Sequence, residues 1–303
     1  VDLIEDQADL PNAVALNSSM FNAARLIGPS IAGLLIASVG EGWCFLVDGL
    51  SYVAVIASLL AMRLPPRTPA GKRKGMLHDL HDGLRYAFGF APIRALLLLV
   101  GLVGLVGVPY RTLMPMISTQ VLHGDAQTLG FLLAAMGVGA LGGALYLASR
   151  TSVVGLGRRI PVVSATFGAG LIGLGLSRWL PPSLLIMVVT GFGLMVHMAI
   201  SNTLIQTLVR EEMRGRVMSL YLTAFLGMAT FGNLLAGAIA HLVGAAYTLA
   251  GSGLLCLFGA AAFWWRLPQL RREAYPIYIE KGILPEAGDG LGETNKLSEE
   301  LES

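Results

Sequence analysis

Three ionisable side chains stand inside otherwise apolar stretches of this chain: Arg25, Asp48 and Arg111. A charge at bilayer depth costs at least about 2.5–3.5 kcal/mol, so each is a candidate for function before it is a candidate for packing. Asp48 lies about five residues from one end of its stretch, roughly 7–8 Å deep at 1.5 Å per residue. Either a solvated carboxylate or a proton-coupling acid fits there. Arg25 has Asn22 one turn earlier and needs an acceptor: carbonyls, a cavity or an acid elsewhere. Arg111 sits between Pro109 and Pro115, next to Tyr110 and Thr112. Proline removes a backbone donor, and interrupted membrane helices frequently frame binding sites. A further polar group is uncharged: His197 and Ser201 share one helical face, as do Asn202 and Gln206. His197 is either a satisfied packing residue or a substrate or proton contact.

Other chemistries find no support. His78-Asp79 and His81-Asp82 have ligand-like spacing, but Met76, Leu77, Leu80, Leu84, Tyr86 and Phe88 surround them. An amphipathic helix on a membrane surface accounts for that pattern better than a metal site, and no metal or cofactor is expected. Cys44 and Cys256 lie far apart in apolar segments and read as inert buried thiols. Neither a phosphate-binding Gly-rich loop, a nucleophile elbow nor a zincin motif occurs, so an enzyme is not expected. A net charge of +2 gives no reason to expect a nucleic-acid partner.

The elements that position these groups are membrane helices. Of 303 residues 54% are hydrophobic and 13% charged, against roughly 25% charged in soluble domains. Crossing about 30 Å of hydrocarbon takes about 20 apolar residues. Eight windows meet that length: 12–39, 43–63, 93–121, 127–149, 160–178, 184–209, 216–243 and 246–266. The fold class is therefore an all-α, polytopic membrane helix bundle. Many of the 38 glycines fall inside these windows, where small residues let helix backbones approach.

The basic residues give the helices a direction. Joints around 63–85, 150–159 and 210–216, with the tail from 266, carry 17 of the 21 Lys and Arg, and the opposite joints carry only Arg178. The positive-inside rule then puts the 17-residue side in the cytoplasm, with both ends of this chain. The first and seventh windows also read alike at an offset of 204. Gly28-Pro29-Ser30-Ile31-Ala32-Gly33 matches Gly232-Asn233-Leu234-Leu235-Ala236-Gly237, and Arg63-Leu64-Pro65 matches Arg266-Leu267-Pro268. The repeat unit is six helices.

Asp9-Leu10-Pro11-Asn12-Ala13-Val14-Ala15-Leu16-Asn17 and Phe21-Asn22-Ala23-Ala24-Arg25-Leu26-Ile27-Gly28-Pro29 resemble helix five of bacterial major facilitator exporters. The branch they resemble contains enterobactin and macrolide exporters. Gly28, Pro29, Ala32 and Gly33 resemble the antiporter motif of that helix, with Ala15 and Ala24 where the motif has glycine. Gly28 and Ala32 make a flat strip for close contact and Pro29 kinks the helix, which serves rocking between two halves or simply packing. The stretch from Gly143 through Arg150, Arg158 and Arg159 resembles the loop motif between helices eight and nine. Arg214-Gly215-Arg216-Val217-Met218-Ser219-Leu220 resembles the start of helix eleven.

The resemblance implies eight of twelve helices, the first four being absent. Residues 1–63 would hold the last two helices of the N-terminal half, 64–92 a cytoplasmic linker with an amphipathic helix, 93–266 the six-helix C-terminal half, and 267–303 a largely disordered tail. It also implies that Tyr110 and Arg111 on helix seven, with His197 and Asn202 on helix ten, line the central cavity; Asp48 and Arg25, by their own depth, are the candidates for proton coupling or intramembrane charge pairing. The expected activity is proton-coupled export of an amphipathic small molecule, drug or siderophore by a monomer in the inner membrane. Uptake, lysophospholipid flipping, or a transport-incompetent chain that only binds a partner are the alternatives. A chain lacking four helices is expected not to transport by itself.

Overall fold

A computed structural model describes residues 41–61, 76–149 and 154–281. They fall in two units divided between Arg73 and Lys74, each described by itself. The first contains α1 (Glu41–Ala61), which occupies the second expected window; the first window, 12–39, lies outside the described residues. Two α1 hydroxyls are satisfied locally, Ser51 donating to the Asp48 carbonyl at 2.7 Å and Ser58 to that of Ala54 at 2.8 Å.

The second unit opens with α2 (Met76–Gly89). Six segments long and apolar enough to cross a membrane follow among the described residues: Ala91–Val121, Ala126–Ala148, Leu156–Leu176, Leu180–Leu208, Glu211–Val243 and Ala245–Glu280. They match the third to eighth expected windows. A chain in lipid must satisfy its backbone internally, which leaves a helix as the solution for each apolar run. The first segment comprises α3 (Ala91–Leu102), a π-helical turn at Val103–Gly107, α4 (Tyr110–Met116) and a second π turn at Ile117–Val121. Next come α5 (Ala126–Ala148), α6 (Leu156–Leu176) and α7 (Leu180–Leu208). The fifth segment is α8 (Arg214–Leu222), a π turn at Thr223–Gly227 and α9 (Met228–Val243), and α10 (Ala245–Glu280) is the last.

Joints are short because their chemistry is local. Asp125 caps α5 by accepting the Thr128 backbone N–H at 3.0 Å, and that bond holds its carboxylate below the usual range. Gly244 turns the chain from α9 into α10 at φ 91°, a conformation that glycine adopts without Cβ strain.

Glycines set the helix crossings. A Cβ at Gly139 on α5 would fall onto the Val188 carbonyl of α7, and one at Gly191 on α7 onto the Met136 carbonyl of α5. The same reciprocity joins α6 to α10, where a Cβ at Gly168 would lie 2.7 Å from the Gly253 oxygen. Backbones in contact maximise dispersion between helices that gain nothing from hiding apolar surface in lipid. The buried side chains form two clusters along the bundle. One gathers Ile93, Val100, Ile160, Leu204, Val217 and Leu270; the other gathers Val103, Tyr110, Phe167, Leu171, Met187 and Leu249.

Two elements differ from expectation. The last helix was expected to end at 266, yet α10 continues to Glu280 through Pro268 and Pro276. An interior proline costs a helix about 3 kcal/mol. Burial of Leu267, Leu270 and Ala274 on the core and a bond from Lys281 Nζ to the Val209 carbonyl at 3.2 Å offset it. The tail from 267 is thus helical over its first fourteen residues. Second, α2 seats one face on the bundle instead of resting wholly on a membrane surface. Ala87 is fully buried, the Tyr86 hydroxyl accepts the Arg210 N–H at 3.2 Å, and Asp82 pairs with Arg216 at 3.8 Å. Leu80, Leu84 and Phe88 stay exposed on a second face at four-residue spacing.

Candidate functional site on two interrupted helices

The Ala91–Val121 and Glu211–Val243 segments meet where both are π-helical. A Cβ at Gly104 would lie 2.6 Å from the Phe225 carbonyl oxygen, and one at Gly232 would fall onto the Leu105 carbonyl. A π turn inserts one residue into the helix, loosens its hydrogen-bond ladder and recurs at functional sites. Here Val108 reaches back to the Val103 carbonyl at 2.9 Å, and Pro109, without an N–H, closes the turn into α4. This interruption rotates the residues that follow it.

Those residues include the expected pair. Tyr110 is buried, 1% exposed, with its ring edge-on to Phe167 at 6.4 Å. Arg111 is exposed, and its Nε donates to the Tyr110 hydroxyl at 3.1 Å. One residue on, the Thr112 hydroxyl donates to Asn233 Oδ1 at 3.0 Å, bridging the two interrupted segments. Arg111 is ten residues from the Val121 end of its segment and Asn233 ten from Val243, each about 15 Å from that end at 1.5 Å per residue. The arrangement offers a guanidinium, a phenol and an amide on neighbouring elements at membrane depth. It is suited to holding an anionic or hydrogen-bonding group and lacks a nucleophile–base pair.

The other expected residues are not gathered with it. Asn202 accepts from Gln206 Nε2, and Arg214 Nη2 donates to Gln206 Oε1 at 2.8 Å while pairing with Glu211 at 3.5 Å. This polar chain starts six residues from the Leu208 end of α7. It therefore stands about 20 Å along the bundle from Arg111 at 1.5 Å per residue. His197 lies inside the bundle at 1% exposure, its Nδ1 2.8 Å from the Ser164 hydroxyl. That hydroxyl donates to the Ile160 carbonyl at 2.7 Å, so the ring donates from Nδ1, and neither its Nε2 nor the Ser201 hydroxyl has a partner among the described residues. His197 thus sits between α6 and α7 with Ser164 as its neighbour across them.

Arg159 stacks over the Tyr146 ring at 5.9 Å and Arg216 holds Asp82. Arg158 lines a groove described below. Asp48 is exposed on α1. Arg25, Gly28, Pro29, Ala32, Gly33 and Arg150 fall outside the described residues. Sequence reasoning did not find Asn233 or Ser164. Asn233 carried a signal, a lone amide where the aligned position of the repeat is Pro29; Ser164 carried none beyond being a hydroxyl in an apolar run.

Six apolar helices among the described residues cross at glycines, two of them interrupted beside a buried phenol and an arginine, and together they form a polytopic membrane helix bundle. Residues 1–277 match the family described as "Transmembrane secretion effector", and the chain belongs to that family of major facilitator proteins, which are transporters and not enzymes. Among relatives it is 28% identical over 273 residues to the multidrug efflux pump Tap of Mycolicibacterium fortuitum, covering 86% of this chain and 64% of the relative. It is 24% identical over 266 residues to the staphyloferrin A transporter of Staphylococcus aureus, covering 84% and 64%. To the enterobactin exporter EntS of Escherichia coli it is 27% identical over 267 residues, covering 87% and 63%. The chain thus spans somewhat less than two-thirds of the length of these relatives. Its fold resembles that of a bacterial homologue of the human lysosomal transporter Spinster, solved inward-facing and unoccupied. The TM-score is 0.51 at 15% identity, covering 90% of this chain and 74% of that one.

Proposed function

We propose that the protein exports an amphipathic small molecule, of the drug or siderophore kind, by alternating access driven by proton entry. The observation that carries the reading is the exposed Arg111 guanidinium, steadied by Tyr110 beside the Thr112–Asn233 bridge. It offers an anionic or hydrogen-bonding substrate a fixed contact, and the flanking π turns give both segments a place to bend. The names of the drug and siderophore carriers among its relatives support the substrate class. Residues 1–63 belong to one half of the carrier and 93–266, with the helical extension to 280, to the other. The 17-to-1 split of basic residues orients the chain, the basic end facing the cytoplasm of an inner membrane. Convergence of Pro92, Arg158, Leu208 and Arg271 on one groove agrees with that common end.

Cells expressing the protein from its gene should hold several-fold less of a fluorescent amphipathic dye than cells with an empty vector, and a protonophore should erase the difference. Equal accumulation in both cell types contradicts export, and a difference that survives the protonophore contradicts proton coupling.

A further inference from the structure

We propose that the groove at the basic end of the bundle binds an anionic phospholipid of the cytoplasmic leaflet. It is a cavity of about 500 Å³ between the start of α3, the start of α6, the end of α7 and the extension of α10, within the range typical of ligand sites. Leu204, Phe263 and Leu267 form a buried apolar floor. Arg158, Arg271 and Arg272 also line it, and its lining among the described residues contains no carboxylate. Arg272 and Tyr275 are exposed, so the groove reaches the surface of the bundle.

The site commits to a lipid because two requirements coincide. The floor takes a hydrocarbon chain, which a soluble anion would leave unfilled. The arginines take a phosphate through charge-assisted hydrogen bonds, at the end of the membrane segments where anionic headgroups lie. The continuation of α10 past Arg266 builds one wall, bringing Arg271, Arg272 and Tyr275 to the groove together. Tyrosine and arginine side by side are what a helix presents at a headgroup boundary. One acyl chain lies along the floor and the headgroup phosphate rests between Arg158 and Arg272.

Only the choice of leaflet rests on the proposed orientation. Lipid binding in detergent is independent of it and of export, so the readings fail separately. The purified 303-residue chain, in a neutral detergent, is titrated with phosphatidylglycerol and with phosphatidylcholine of the same acyl chains, and adducts are counted by native mass spectrometry. A one-to-one phosphatidylglycerol adduct, at least about tenfold tighter than phosphatidylcholine, is expected, weakening as salt screens the arginines. Arg158→Gln with Arg272→Gln should lose that preference, and Arg85→Gln, on α2 away from the groove, should keep it. Gly157→Trp is a second variant: a Cβ there meets open space, so the indole can occupy the groove without disturbing a helix crossing, and it should block the adduct. Equal binding of the two lipids overturns the proposal, as does an unchanged adduct in both groove variants. So does displacement by millimolar inorganic phosphate, or an adduct that forms only after residues 282–303 are deleted, which would give the groove to the chain's own acidic tail.

Discussion

Valine at Gly139 is expected to prevent the six-helix unit from folding, and valine at Gly191 to do the same. The two positions face one another across the α5–α7 crossing, each with the other helix's carbonyl where a side chain would begin. A backbone carbonyl cannot change rotamer to make room, so the helices must separate along their whole shared length. Overpacking typically costs about 1–3 kcal/mol where side chains can yield, and here the cost should lie at or above the top of that range. Fluorescence-detected size exclusion after detergent extraction checks it: both variants should lose the monodisperse peak. Gly137→Val is the control two residues away, where a Cβ meets nothing within 4 Å, and it should elute as the parent does. If Gly137→Val fails equally, lost helix flexibility and not close approach is what the glycines supply.

The second large effect is at Arg111, and stability and function should move in opposite senses. An arginine inside the membrane costs insertion energy of about 2.5–3.5 kcal/mol near the helix centre. Among the described residues its hydrogen-bond partner is the neighbouring Tyr110 hydroxyl. Arg111→Leu should therefore leave the melting temperature unchanged or raised, while dye export falls tenfold or more. Arg111→Lys keeps the charge but not the planar fork and should retain part of the activity. A fall in melting temperature for Arg111→Leu would mean that the residue serves the fold. Measuring both quantities on the same preparations separates the two roles.

What could be read beforehand divides along physical lines. Span positions and the common basic end followed from hydropathy and charge, because lipid imposes them on every residue in turn. Arg111 was visible for the same reason, as a charge where charges are costly. The crossing that packs Gly104 on Phe225 and Gly232 on Leu105 was not legible, since it depends on two segments over a hundred residues apart both inserting a π residue at the same depth. The separation of His197 from Asn202 was legible only in part, since helical spacing put them in different pairs without saying what each would meet. Five residues apart on one helix, they point one side chain toward Ser164 and the other toward Gln206, and spacing alone does not say which face meets a neighbour. The end of α10 was misjudged because Pro268 reads as a stop. Leu267, Leu270 and Ala274 at helical spacing were the competing signal, and burial decided in their favour.

On the proposed function, substrate leaves the cell across the face bearing Arg111 and Asn233. Inside-out membrane vesicles from cells expressing the protein from its gene decide this, with an imposed proton gradient and a fluorescent amphipathic dye outside. These vesicles should fill with dye several-fold faster than vesicles from empty-vector cells, and Arg111→Leu should return the rate to the empty-vector level. Filling at the empty-vector rate, or filling by Arg111→Leu as fast as by the parent, would contradict it.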